Sequence, residues 1–298
     1  MNISVLLLIY HRPERTRKTF EAIKKAKPKR LFVAADGPNF EKADDFELCR
    51  LAREITENVD WDCKVERLYR DKNLGLKDAV YSAVSWFFDN VDEGIILEDD
   101  CLAGQSFFSF CENMLSKYRK DKNVLHIGGS NFLPENIQKP GGYYFSKYPE
   151  IWGWATWKHA WDLMDFKMKN WKRFEKSKYL DLILPDFWEK KYWQIIANAV
   201  LSEKVNSWAY RWLFSIWENH GKCVSPGVNL VENIGLVRGT HINTNAKLRV
   251  RSQTITDNPK DLSESYSKVA DDYLKDHIYR ASPLMDLAQW LYFAIKNV

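Results

Sequence analysis

The chain has 298 residues, of which 45% are hydrophobic and 28% charged, a balance that excludes a largely disordered protein and leaves room for one large α/β domain or two small ones. Its net charge of +4 admits an anionic small substrate or a weak association with acidic surfaces, and no clear nucleic-acid motif accompanies it. Five cysteines, odd in number and without CxxC or histidine spacing, argue against a disulfide framework and structural zinc, so a reducing cytoplasm is the expected location.

Met1 to Ser4 lacks a basic leader, and the apolar run Val5 to Ile9 is too short for a signal core or a membrane span. From there short β-branched runs alternate with amphipathic stretches. Ile3–Ile9, Arg30–Ala35, Lys64–Tyr69, Ile95–Leu97 and Val124–Ile127 read as strands; 14–25, 40–57, 75–88 and 106–118 read as the helices between them. This alternation predicts βαβ units and a mainly parallel sheet, whose ligands gather at the carboxyl ends of the strands. Those ends carry Tyr10-His11-Arg12-Pro13, Asp36-Gly37-Pro38, Arg70-Asp71-Lys72-Asn73, Glu98-Asp99-Asp100 and Gly128-Gly129-Ser130-Asn131. All five are polar, more than a solvated rim alone demands.

The acidic triplet is the most informative of them. Three consecutive carboxylates at the end of an apolar strand repel one another and lose solvation, so they persist best where something positive is held. Their hard oxygens suit Mg²⁺ or Mn²⁺, and Mg²⁺ is usually bound by one or two carboxylates together with substrate phosphates. A nucleotide-diphosphate site follows. The plain alternative is an acidic loop, with Asp99 or Asp100 capping the helix that begins near Gly104. Neither GxGxxG after the first strand nor GxxxxGK[ST] occurs, so phosphate neutralisation falls to metal and basic side chains, with Arg70, Lys72 and Lys77 in reach. Each of these is also readable as a solvated surface residue, and for Lys77 that is the favoured reading.

Past residue 140 the character changes, and ten of the thirteen tryptophans lie between Trp152 and Trp217. Flat rings with one N–H suit sugar faces as well as cores. Trp154, Trp157 and Trp161 recur near helical spacing, as do Trp208, Trp212 and Trp217, which predicts core packing for most of them. Trp152, Trp154 and Trp208 are the candidates for an acceptor groove. Residues 1–140 thus read as a nucleotide-sugar half of the domain, 141–245 as its acceptor-side half and 246–298 as a tail. Within the tail Leu284, Leu287, Leu291 and Ile295 predict a terminal amphipathic helix, which docks on the domain or makes peripheral contact with the inner face of a membrane.

Six motifs in order carry a family resemblance: Tyr10-His11-Arg12-Pro13, Asp36-Gly37, Asn73-Leu74-Gly75-Leu76, Ile96 to Cys101, Ile151 to Trp157 and Val228 to Gly235. Over residues 3–243 the chain resembles GT-A glycosyltransferases of the bacterial nucleotide-diphospho-sugar transferase group, often labelled hemolysin-like and distantly similar to N-acetylglucosaminyltransferase I. The resemblance implies a Rossmann-like GT-A fold, a donor that is a nucleotide-diphosphate sugar with UDP favoured, and transfer to a hydroxyl of a glycan, lipid-linked or protein acceptor with inversion. It further implies that Asp100 and His241 hold Mn²⁺ or Mg²⁺, that Asp99 lies by the ribose and Glu98 by the transferred sugar, and that Asp36 faces the base. Tyr10, His11, Arg12 and Asn73 complete the implied donor site, to which the chemistry, apart from the resemblance, adds Arg70 and Lys77 as candidate basic groups.

At one place the chain departs from the pattern. An inverting transferase needs a general base beside the acceptor hydroxyl. The family's Asp within the segment matching Ser207-Trp208-Ala209-Tyr210 is Ala209 here, and a methyl group takes no proton. Either the chain is an inactivated variant, or another acid serves, for which Glu150 and Glu218 are available. Two other classes stay open: a nucleotidyltransferase that makes nucleotide sugars, which would share the sheet and metal site, and a non-catalytic sugar-binding module.

Overall fold

The computed structural model describes residues 2–237, 248 and 250–279. The first strands and helices follow the alternation in the sequence: β1 (Ser4–Ile9), α1 (Pro13–Ala26), β2 (Arg30–Ala35), α2 (Asp45–Ile55), β3 (Lys64–Tyr69), α3 (Leu76–Phe88) and β4 (Glu93–Glu98). After them come β5 (Cys101–Ala103), α4 (Gln105–Tyr118), β6 (Val124–Gly128), β7 (Gly142–Ser146) and β8 (Trp154–Trp157). Short helices α5 (Lys158–Trp161), α6 (Trp171–Phe174) and α7 (Lys178–Ile183) lead to the longer α8 (Phe187–Leu201) and α9 (Trp208–Glu218). Then β9 (Lys222–Pro226), β10 (Val231–Asn233), β11 (Lys260–Asp261) and α10 (Ser263–Tyr273) complete the described strands and α-helices.

Nine strands form one sheet in the order β11-β7-β9-β6-β8-β4-β1-β2-β3. The β3-β2-β1-β4 half is wholly parallel, because each strand returns through a crossover helix on one face or the other. Strand β8 then enters antiparallel between β4 and β6, while β6 and β9 run parallel. The fold is α/β with a large, mostly parallel central sheet flanked by helices. In β1, β2, β4 and β6 the apolar residues run on without alternation, as a sheet covered on both faces requires.

Two expectations about the elements need correction. The helix placed over 40–57 begins only at Asp45, since Asn39 to Asp44 forms a polar turn closed by Asp45, whose carboxylate accepts the Asn39 N–H at 2.6 Å. Trp154 and Trp157, spaced as if on a helix, lie on β8. That strand is buried on both faces, and a fully buried strand has no period-two signal to set against a helical one.

The tryptophans of the second half build a core. Trp154 stacks on Trp208 with centroids 5.8 Å apart and on His126 at 5.4 Å, and the Trp212 indole donates to His126 Nδ1 at 3.2 Å. Each buried ring contributes roughly 1.5–3 kcal/mol of transfer free energy. Part of the segment expected as a tail returns to the sheet: β11 pairs with β7, Ser263 accepts the Phe145 N–H at 2.9 Å, and Ser146 donates to Asp271 at 2.6 Å. The terminal amphipathic helix expected from residue 283 lies outside the described residues.

Candidate active site at the carboxyl edge of the sheet

The parallel strands bring the polar turns after β1, β2, β3 and β4 to one edge. Between them and α3 opens a cleft of about 260 Å³, with Leu8, Ala34, Ala35, Ala79, Val80 and Ala83 as its apolar floor and wall. Seven residues expected at the donor site line it: Tyr10, Arg12, Asp36, Arg70, Asn73, Glu98 and Asp99. His11 and Lys77 do not. The His11 Nδ1 lies 2.7 Å from Asp45 behind the β1 turn, and the Lys77 ammonium reaches away to Glu203 at 2.8 Å. Lys77 is therefore a strut between α3 and the loop before α9.

The acids at the end of β4 are compensated from within. Arg12 places Nη2 2.6 Å and Nε 3.2 Å from the two oxygens of Asp99, and Nη1 2.8 Å from Asp100 Oδ2. Thr19 donates to the Asp99 carbonyl at 2.9 Å, which fixes the triplet against α1. Asp99 is 1% exposed, and burial pushes its carboxyl up to about 7 even with Arg12 pulling the other way. Burial, reinforced by the charges of Asp100 and Asp99, raises the Glu98 carboxyl as well. One guanidinium thus faces three acids, and burial together with their mutual repulsion favours the protonated forms of Glu98 and Asp99.

A small antiparallel pair, β5 with β10, places the Val228 to Gly235 motif against the triplet. The Ile234 N–H donates to the Asp100 carbonyl at 2.9 Å. A Cβ on Gly235 would stand 2.4 Å from Asp100 Oδ2, so the chain can approach that carboxylate only as glycine. His241, expected to join Asp100 at a metal, lies outside the described residues. Among the described residues no three His, Cys, Asp or Glu side chains converge on a cation site. Asp100 nonetheless suits a hard cation: its Oδ2 is held by Arg12, whereas among the described residues Oδ1 meets the weak Cys101 thiol donor at 3.8 Å.

Asp36 serves the cleft from within the protein. Its carboxylate accepts from the N–H groups of Gly37 (2.9 Å), Leu74 (3.0 Å) and Gly75 (3.2 Å) and from the Asn73 amide (3.0 Å). With these donors it pins the β3–α3 turn, where Gly75 sits at φ +76°, and has little capacity left for a base. Arg53 clasps the same rim, donating to the carbonyls of Asp36 and Arg70. Arg70 itself donates to Ser82 on α3 at 2.7 Å. Sequence reasoning passed over Arg53, Lys42 and Asp45. Asp45 is 3% exposed and binds Tyr10 and His11; its only trace in the sequence is an acid at a helix start, an ordinary N-terminal signal.

On the acceptor side the tryptophans divide. Trp154 and Trp208 are 1% and 2% exposed and lie in the core rather than along a groove, whereas Trp152 keeps part of its ring in solvent, set edge-on to Phe132 at 5.0 Å. Ala209 stands on the first turn of α9, which Ser207 caps, beside the α3 wall that Lys77 and Glu203 tie to it. Glu150 is buried beneath Tyr279, and burial pushes its carboxyl up to about 8, so near neutrality it is protonated and a poor base. Glu218 closes α9 just before β9 starts, at the opposite edge of the sheet from the triplet. The turns that carry the triplet lie at the other edge.

No family model and no curated protein matches the chain. Among solved structures it is similar to a Pyrobaculum calidifontis mannosyltransferase in complex with GDP-Man and Mn²⁺, at 8% identity over 74% of this chain and 69% of that one, TM-score 0.37. An apo UDP-glucose pyrophosphorylase matches at 10% identity over 79% of this chain and 94% of that one, TM-score 0.41. HddC from Yersinia pseudotuberculosis matches at 12% identity over 53% and 77%, TM-score 0.32.

Proposed function

We propose that the chain is a glycosyltransferase-type protein whose cleft binds a nucleotide-diphosphate sugar, with UDP the favoured nucleotide, for transfer of the sugar to a hydroxyl acceptor. The observation that carries this reading is the acidic triplet, of which Glu98 and Asp99 line a cleft with an apolar floor and Asp99 and Asp100 share the Arg12 guanidinium. The floor accepts a flat base or ribose, and three crowded acids sharing one guanidinium would ionise together only with a divalent cation beside them, which itself attracts phosphate. Asp100 would hold that cation, with substrate phosphates and water supplying the other ligands.

Breaking a sugar–phosphate bond leaves negative charge on the diphosphate, which a bound Mn²⁺ or Mg²⁺ would neutralise. The chain's own residues prepare the place. Arg12 keeps Asp99 and Asp100 from repelling each other, Arg53 and Asp36 fix the β2 and β3 turns, and Arg70 supplies a further cation on the cleft wall. The base is the missing part. Ala209 at the start of α9 offers none, and Glu150 and Glu218 do not stand in for it.

Two measurements test the assignment. Ala209→Asp is expected to raise sugar transfer by roughly 10²–10⁴-fold with donor affinity unchanged, the usual contribution of a placed general base; an unchanged rate removes the explanation. Pyrophosphate release on mixing a sugar phosphate with UTP would instead make the chain a nucleotidyltransferase, for which the same cleft would serve.

A further inference from the structure

Away from the cleft, the corner between α7 and α8 exposes three large apolar side chains: Leu182 at 76%, Phe187 at 60% and Trp188 at 47%. This is not a deficit of core. The same segment sends Trp171, Phe174, Leu180 and Leu184 inward. Lys147 holds the corner together, bonding the Ile183 carbonyl at 3.1 Å and pairing with the buried Glu189 at 2.7 Å, while Lys190 on α8 pairs with Asp181 on α7. The three side chains therefore sit on a braced platform.

Charge says what the platform meets. Residues 167–191 hold eight Lys or Arg against four Asp or Glu, a surplus equal to the +4 of the entire chain. Seven of those eight bases are exposed, whereas Glu189 is buried and Glu175 half-buried, so the outward surplus is larger still. The Lys191 ammonium lies 5.7 Å from the Phe187 ring, which puts positive charge directly at the apolar patch. Lysine is depleted at protein–protein interfaces, whereas lysines flanking exposed Trp, Phe and Leu fit an anionic lipid surface. No described helix is long and apolar enough to cross a bilayer.

We infer that the α7–α8 corner docks the protein on the face of an anionic membrane, with Leu182, Phe187 and Trp188 entering the headgroup layer and the lysines around them pairing with lipid phosphates. The contact is independent of the chemistry at the cleft. It also differs from the terminal helix of the sequence reading, which the test must separate from it.

The test is co-sedimentation of the full chain with vesicles of equimolar phosphatidylglycerol and phosphatidylcholine, and with phosphatidylcholine alone. Binding is expected to the anionic vesicles, to weaken with added salt, and to be lost in Leu182→Ser/Phe187→Ser/Trp188→Ser at an unchanged thermal midpoint. Lys178→Glu/Lys191→Glu is expected to weaken it at least about fivefold per lysine. Equal binding to both vesicles, no binding to either, or binding kept by the serine variant and lost in Leu287→Ser/Leu291→Ser would overturn the inference. So would a self-associated wild type that the serine variant turns into a monomer with no change at the vesicles.

Discussion

Arg12 meets Asp99 edge to edge, with Nη2 2.6 Å from one carboxylate oxygen and Nε 3.2 Å from the other. The acid is fully enclosed, and two-thirds of the guanidinium side chain is covered. Removing either partner strands the other, and the consequence differs between them because Arg12 also holds Asp100.

Arg12→Ala is expected to lower stability by about 2 kcal/mol, less than a fully enclosed pair would lose because water still reaches part of the arginine. Arg12→Lys keeps the charge but not the fork, and its loss is expected to fall between wild type and alanine. Urea denaturation of the three proteins checks the order. Equal stability of Arg12→Ala and wild type would mean that the acids are neutralised by something else.

Asp36→Ala removes the acceptor for three backbone N–H groups and the Asn73 amide. A loss of about 2 kcal/mol is expected, since the orphaned amides lie at a solvent-touched rim where water replaces part of what they lose. Amide exchange reads the local effect: Leu74 and Gly75 should exchange much faster in the variant while the amides of β1 stay protected. Uniform acceleration across the sheet would place the role of Asp36 elsewhere.

The sequence carried the architecture of the parallel half well. The strands of β1, β2, β3 and β6 fall within about a residue of their expected places, because short apolar runs between amphipathic stretches have few other readings. It carried the edge of the site too, since a parallel sheet must collect its turns on one side. It could not carry what happens at that edge. Asp36 and Lys77 look like ligand groups until the fold shows each spent on the protein's own backbone or on Glu203. Arg12 lies 87 residues from Asp99, and no local pattern announces their pairing. The tryptophans misled for the opposite reason, because a ring suited to a sugar is equally suited to a core, and only burial separates Trp152 from Trp154 and Trp208.

Glu150 gives a pH signature. Its carboxyl is pushed from an ordinary 4.5 to about 8 by burial, against the Tyr279 hydrogen bond and with a smaller push from Asp271. Between those values the native protein holds a proton that the unfolded chain has released, so this group makes stability fall as pH rises from about 4.5 through about 8. Glu150→Gln stays neutral and keeps an acceptor for Tyr279. The two proteins should be about equally stable near pH 4, below the ordinary value, and the variant should become progressively the more stable towards pH 8. A difference that does not change with pH would mean that Glu150 is ionised in the fold.

The central claim is that Asp100 holds a cation which holds a diphosphate, and calorimetric titration with UDP tests it most directly. Wild type with Mn²⁺ is expected to bind, with affinity falling by at least about tenfold, or roughly 1.4 kcal/mol, on adding EDTA or in Asp100→Ala. UDP affinity that is the same with chelator and in Asp100→Ala would contradict the account.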